Sequence, residues 1–127
     1  AFMSDRRIRV SGRREMDRAL IGYFSALPGH VDEAKYQQNF TKLRGNVAGV
    51  RNFGAAALDL AYVACGRMDG MLRDDVKPWD VAGGSIIVKE AGGKAIGLKN
   101  HDDPVFDGGV MAANMQILPQ LRDVLGI

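Results

Sequence analysis

The chain has 127 residues, 46% of them hydrophobic and 25% charged, enough for one domain with its own core and ordinary for a globular protein. Its 17 basic and 15 acidic residues leave a net charge of +2, which excludes a bulk electrostatic case for nucleic acid, and no apolar run approaches a membrane span. The single Cys65 excludes an internal disulfide framework and points to a reducing, cytoplasmic setting, while His30 and His101 stand alone without zinc-ligand spacing.

In chain order, RRIRVSG (6–12) alternates charged and β-branched residues, with Ile8 and Val10 on one face, and predicts a short strand with one wet face. The basic residues around it are interrupted by Asp5, Glu15 and Asp17, the pattern of a solvated surface. ALIGYFSAL (19–27), closed by Pro28-Gly29, suits a buried strand. The segment 31–45 predicts a helix, with Asp32 and Glu33 near its start and Lys42 and Arg44 near its end, the charge order a helix dipole prefers. NVAGVRNFG reads as connection. AAALDLAYVAC then predicts a helix closed by Gly66, apolar nearly all round and so buried, with Cys65 packed inside. RMDGMLR predicts a strand and Asp74-Asp75 its turn. A helix over 80–90 stops at Gly92-Gly93, KAIGL and GGVMAAN are strands, and MQILPQLRDVLG is a terminal helix with Pro119 in its first turn. Strands alternating with helices describe an α/β layered domain, a mixed β-sheet flanked by helices, spanning 1–127 as one unit.

Asp80 opens the helix that follows the only tryptophan. Aspartate is a favoured N-cap, so its first explanation is local: its carboxylate satisfies free N–H groups at the helix start. Trp79 is expected to pack behind it, and Gly83 and Gly84 to let helices approach closely. Asp59, inside an apolar helix, is expected to bond backbone or a basic neighbour. Asp103-Pro104 and Asp107-Gly108 in DPVFDGG are turn dipeptides.

The stretch from Gly54 to Gly93 nevertheless carries a larger pattern: Gly54-Ala55-Ala56-Ala57-Leu58-Asp59-Leu60, then Gly66-Arg67-Met68-Asp69-Gly70, then Lys77-Pro78-Trp79-Asp80-Val81-Ala82-Gly83-Gly84, then Glu90-Ala91-Gly92-Gly93. In order and spacing across about forty positions it resembles the signature region of the inositol monophosphatase family, far more specific than a lone short motif. The resemblance covers nearly the whole chain and only the second half of the family's fold. It implies a Mg²⁺-dependent phosphomonoesterase acting on a small phosphorylated polyol or sugar, a homodimer, with Asp80 as a metal ligand and Gly54, Ala55 and Ala56 lining the polyol site. The rest of the family's ligand set, a glutamate and a D-P-x-D-G-T motif, lies in its first half. DPVFDGG imitates that motif with one residue too many and Gly in place of Thr, so it is expected to be a plain turn. Glu90 does not complete the set either, since ten helical residues put it roughly 15 Å from Asp80. The chain is therefore expected to be a fragment, inactive by itself.

Two residues depart from the family pattern. Ala55 stands where a hydroxyl residue is usual, and Arg73 stands where inositol-handling members place a glutamate. Arginine donates and cannot accept, so it cannot replace that carboxylate. Two readings of Arg73 stay open: contact with a second anionic group of the substrate, or a solvated edge-strand residue paired with Asp74 or Asp75. The alternatives for the whole are a fructose bisphosphate, histidinol phosphate or nucleotide phosphate branch, or a non-catalytic binding module.

Overall fold

The computed structural model describes residues 2–3, 6–24 and 33–127. A five-stranded mixed sheet forms its centre. In chain order its strands are β3 (Leu20–Phe24), β4 (Gly49–Arg51), β5 (Gly70–Arg73), β6 (Lys94–Gly97) and β7 (Val110–Ala113), after a small antiparallel pair, β1 (Phe2–Met3) and β2 (Arg6–Arg7). Across the sheet the order is β4-β3-β5-β7-β6, so β5 is the middle strand. β4, β3 and β5 run parallel; β7 is antiparallel to both β5 and β6.

Among the described residues four α-helices cover the two faces: α1 (Glu33–Arg44), α2 (Ala56–Ala64), α3 (Pro78–Glu90) and α4 (Ile117–Leu125). The strand alternation sorts the core into two. Ile21, Tyr23, Leu72, Met111 and Ile96 face α1 and α4, while Met71, Val110 and Ala112 face α2 and α3. The α1 side is fastened by Leu43 and by Tyr36, whose ring stacks on Tyr23 at 4.9 Å. The mixed sheet flanked by helices is the fold class read from the sequence.

The elements end where the sequence placed their stops. Gly66 and Gly92 take φ of +80° and +96° just beyond α2 and α3, the left-handed conformation that costs glycine least. Asn114 caps α4, its Oδ1 accepting the N–H groups of Gln116 and Ile117 at 2.9 and 2.7 Å. Residues 25–27 of the predicted strand, Pro28 to His30, and the predicted helix start at 31–32 lie outside the described residues.

Several local expectations are corrected. Only Arg6–Arg7 of the opening segment is strand, paired with β1 and outside the main sheet. Ile8 and Val10 still bury against the α2–α3 core, but the Val10 N–H goes to the carbonyl of Ala91 at 3.0 Å, a helix end rather than a ladder. Ser11 ties that segment down by donating to the Asp69 carboxylate. Gly49–Arg51, read as connection, is strand because β3 supplies its hydrogen bonds. The α2 helix is not buried all round: Ala57, Leu58 and Ala61 are exposed, and Cys65 is only half-buried.

Candidate active site at two helix mouths

β4 and β5 end at the same edge of the sheet, and α2 and α3 each start just beyond them on the same face. Both helix N-termini, with their positive dipole ends, therefore open at the carboxyl ends of parallel strands, the usual place for a ligand in such a sheet.

Asp80 lies in the mouth of α3, but not as its N-cap. Lys77 is the N-cap, Pro78 occupies the first helical position that proline favours, and Asp80 is third. Its Oδ2 accepts the Lys77 N–H at 3.1 Å, while its own N–H donates to the Lys77 carbonyl at 2.9 Å. Oδ1 accepts no hydrogen bond from the described residues. The carboxylate is half-buried, anchored through one oxygen and open at the other. Trp79, expected to pack behind it, is 78% exposed, because the second helical position faces outward here.

Gly54, Ala55 and Ala56 form the mouth of α2. Gly54 takes φ +77°, and its N–H is already engaged by Asn52 Oδ1 at 2.9 Å. Ala55 is the N-cap and has no side-chain oxygen to offer, so no side chain caps this end. Ala56 is buried beneath it.

Arg73 ends β5 on the α2–α3 side and is only 8% exposed. The solvated edge-strand reading is overturned, since β5 is the central strand and the helix layer covers this position. Burial lowers the Arg73 pKa, and the charges of Asp59 and Asp80 oppose that fall. Asp59, read as structural, belongs to the same charge cluster. It is fully buried on α2, neither oxygen accepts a hydrogen bond among the described residues, and burial raises its pKa to about 6 against the opposing pull of Arg73. A carboxylate in an otherwise apolar helix was the available signal for this role. The structure thus brings Asp80, Arg73 and Asp59 under one electrostatic influence at the strand ends, with the Gly54–Ala56 turn on the neighbouring helix mouth.

DPVFDGG is the turn expected of it. Asp107 accepts the N–H groups of Leu98, Lys99 and Gly109 at 3.1, 3.0 and 3.2 Å and that of Asn100 as well, and Asp103 Oδ1 accepts those of Val105 and Phe106. Both oxygens of Asp107 and Oδ1 of Asp103 are thus engaged by their own loop.

Among the described residues no three His, Cys, Asp or Glu side chains gather to hold a metal ion. Asp80 fits a hard cation as one oxygen ligand of several, with Oδ1 available for it. By itself it is not a site.

The comparisons agree with this geometry. The family model described as "Inositol monophosphatase family" matches residues 1–125. The inositol-1-monophosphatase of Rhizobium meliloti is 38% identical over 125 residues, 98% of this chain and 47% of that protein. A putative Nus factor SuhB of Neisseria meningitidis serogroup B is 40% identical over 125 residues, 98% of this chain and 48% of that protein. The crystal structure of the extragenic suppressor protein suhB from Bartonella henselae superposes with a TM-score of 0.89 at 39% identity, covering 98% of this chain and 47% of that one. The chain thus spans about half the length of the relatives it matches. With the motif, the fold and the family model in agreement, this chain belongs to the inositol monophosphatase family.

Proposed function

We propose that residues 1–127 form the carboxy-terminal unit of a Mg²⁺-dependent phosphomonoesterase that hydrolyses a small phosphorylated polyol or sugar, and that the complete protein is a homodimer. The observation that carries this reading is the state of Asp80, fixed in a helix mouth through one oxygen and open at the other, inside the motif that supplies a metal ligand in the family. Magnesium, when bound, polarises phosphoryl oxygens and sharpens an attacking water.

The chain's own residues contribute binding and orientation. Asp80 holds one ligand position. The uncapped first turn of α2 presents N–H groups toward an anion or hydroxyl of the substrate, with the Gly54–Ala55 turn setting its approach. Arg73 places a buried cation beneath the site where inositol-handling members carry a carboxylate. That charge favours a substrate with a second anionic group over one recognised only by its hydroxyls. The remaining metal ligands are assigned to the half of the relatives that this chain does not match.

The test is Asp80→Asn in the protein completed by that half. We expect kcat to fall at least ~100-fold and Mg²⁺ affinity by calorimetry to weaken at least tenfold, with the melting temperature little changed. Unaltered Mg²⁺ affinity and turnover in that variant would refute the assignment. The 127-residue chain alone is expected to hydrolyse no phosphate ester.

A further inference from the structure

A Cβ built on Gly22 of β3 would lie 3.3 Å from the carboxylate carbon of Asp59 and 2.9 Å from Cε of Met68. The absent side chain is what lets the Asp59 carboxylate rest against the sheet. Gly22 pairs with Met71 of β5, and Arg73 lies two residues further along that strand, on the same face. Adjacent strands are about 4.8 Å apart and two strand residues span about 6.6 Å, which puts the Arg73 backbone roughly 8 Å from Gly22. That is of the same order as the length of an arginine side chain.

Asp59 is fully buried and neither of its oxygens accepts a hydrogen bond among the described residues, so its charge depends on an opposite charge nearby. Arg73 is the cation that opposes burial in holding it ionised. Arg73 in turn feels two carboxylates, Asp59 more strongly than Asp80. The two are not equivalent. Asp59 is sealed inside the layer, whereas Asp80 is anchored through Oδ2 to the Lys77 N–H at 3.1 Å and open at Oδ1. A guanidinium turned onto Asp80 would cover that oxygen with a fork of donors and set a positive charge where a cation is to bind.

We propose that Asp59 is a positioning residue for the metal site: its buried carboxylate, seated over Gly22, is the counter-ion of Arg73, and by balancing that cation it keeps Arg73 off Asp80 and leaves Asp80 Oδ1 open to a divalent cation. Asp59 itself touches neither metal nor substrate and acts only through Arg73. This role rests on the reading of Asp80 as a metal ligand.

A double-mutant cycle on Mg²⁺ binding tests it, by calorimetry at pH 8, where Asp59 is ionised, in the protein completed by the unmatched half. Asp59→Asn should weaken Mg²⁺ affinity about tenfold, because Arg73 is left with Asp80 as its remaining carboxylate partner. Adding Arg73→Met to that variant should return the affinity to within about threefold of the parent. Arg73→Met alone should shift it by less than about threefold, since Arg73 is already held away from Asp80. Parent-like affinity in Asp59→Asn would overturn the proposal. So would a loss that Arg73→Met does not reverse, which assigns Asp59 to packing alone, or a larger shift in Arg73→Met by itself, which places Arg73 on Asp80 from the start. Should Asp59→Asn fail to fold, the Arg73→Met arm decides. Asp80→Asn in the same series separates the two levels. Weakened binding there beside parent-like binding in Asp59→Asn rejects this role of Asp59 and leaves the phosphatase reading standing, whereas unaltered binding in Asp80→Asn rejects both.

Discussion

Asp59 and Asp107 are carboxylates that the fold treats in opposite ways. Asp59 is sealed under the α2–α3 layer with no hydrogen-bond donor among the described residues, and burial lifts its pKa from 3.8 to about 6. The folded state then holds its proton more tightly than the unfolded chain does. Stability therefore falls as pH rises from about 4 to about 6, by roughly 3 kcal/mol if Asp59 acted alone. Asp107 runs the other way: burial would raise its pKa, but four backbone N–H groups pull it below the usual carboxylate range. Its contribution is present above the unfolded pKa and is lost as pH falls through the depressed folded value. Urea midpoints of Asp59→Asn should therefore show a flatter fall between pH 4.5 and 6.5 than the parent, with a smaller slope left by Asp74, which burial also raises against the pull of Lys35 and Lys99. Asp107→Ala should cost about 2 kcal/mol at pH 7, since it strips the acceptor from the turn joining β6 to β7. A parent-like slope in the first variant, or a parent-like midpoint in the second, would contradict these assignments.

At the scale of elements, the contact between α2 and α3 depends on one of two adjacent glycines. A Cβ at Gly84 would lie 2.7 Å from both Cβ and Cδ1 of Leu60, which is fully buried and has little room to move, so the helices approach over this residue. Gly83 is one position earlier and faces open space. In the 127-residue chain Gly84→Ala should destabilise by about 1–3 kcal/mol through overpacking. Gly83→Ala should stabilise by up to about 1 kcal/mol through helix propensity. Thermal melts of the two variants should move in opposite directions. The sequence announced both glycines as packing residues, and only the position of Leu60 separates them. The same holds for α2, whose composition is apolar on every side although Ala57, Leu58 and Ala61 on its outer side stay exposed among the described residues.

For the molecule as a whole, the proposed function makes Arg73 the residue on which substrate choice turns. In the protein completed by the unmatched half, Arg73→Glu should raise kcat/KM for inositol monophosphate relative to a sugar bisphosphate by at least about tenfold, since it restores an acceptor and removes a cation from the site floor. An unchanged ratio would mean that Arg73 plays no part in substrate choice. Helices, most strands, their glycine stops and the Asp103–Asp107 turn were legible in the sequence, because each depends on residues within a few positions of one another. The Gly54–Gly93 motif likewise sufficed to identify the family. Tertiary structure alone decided that Arg73 is buried in a central strand within electrostatic reach of Asp59, that Trp79 points outward, that Gly49–Arg51 becomes a strand, and that among the described residues one helix layer keeps an apolar face uncovered. Each of these depends on which distant segment supplies the hydrogen bonds or the cover, and local periodicity carries no record of that choice.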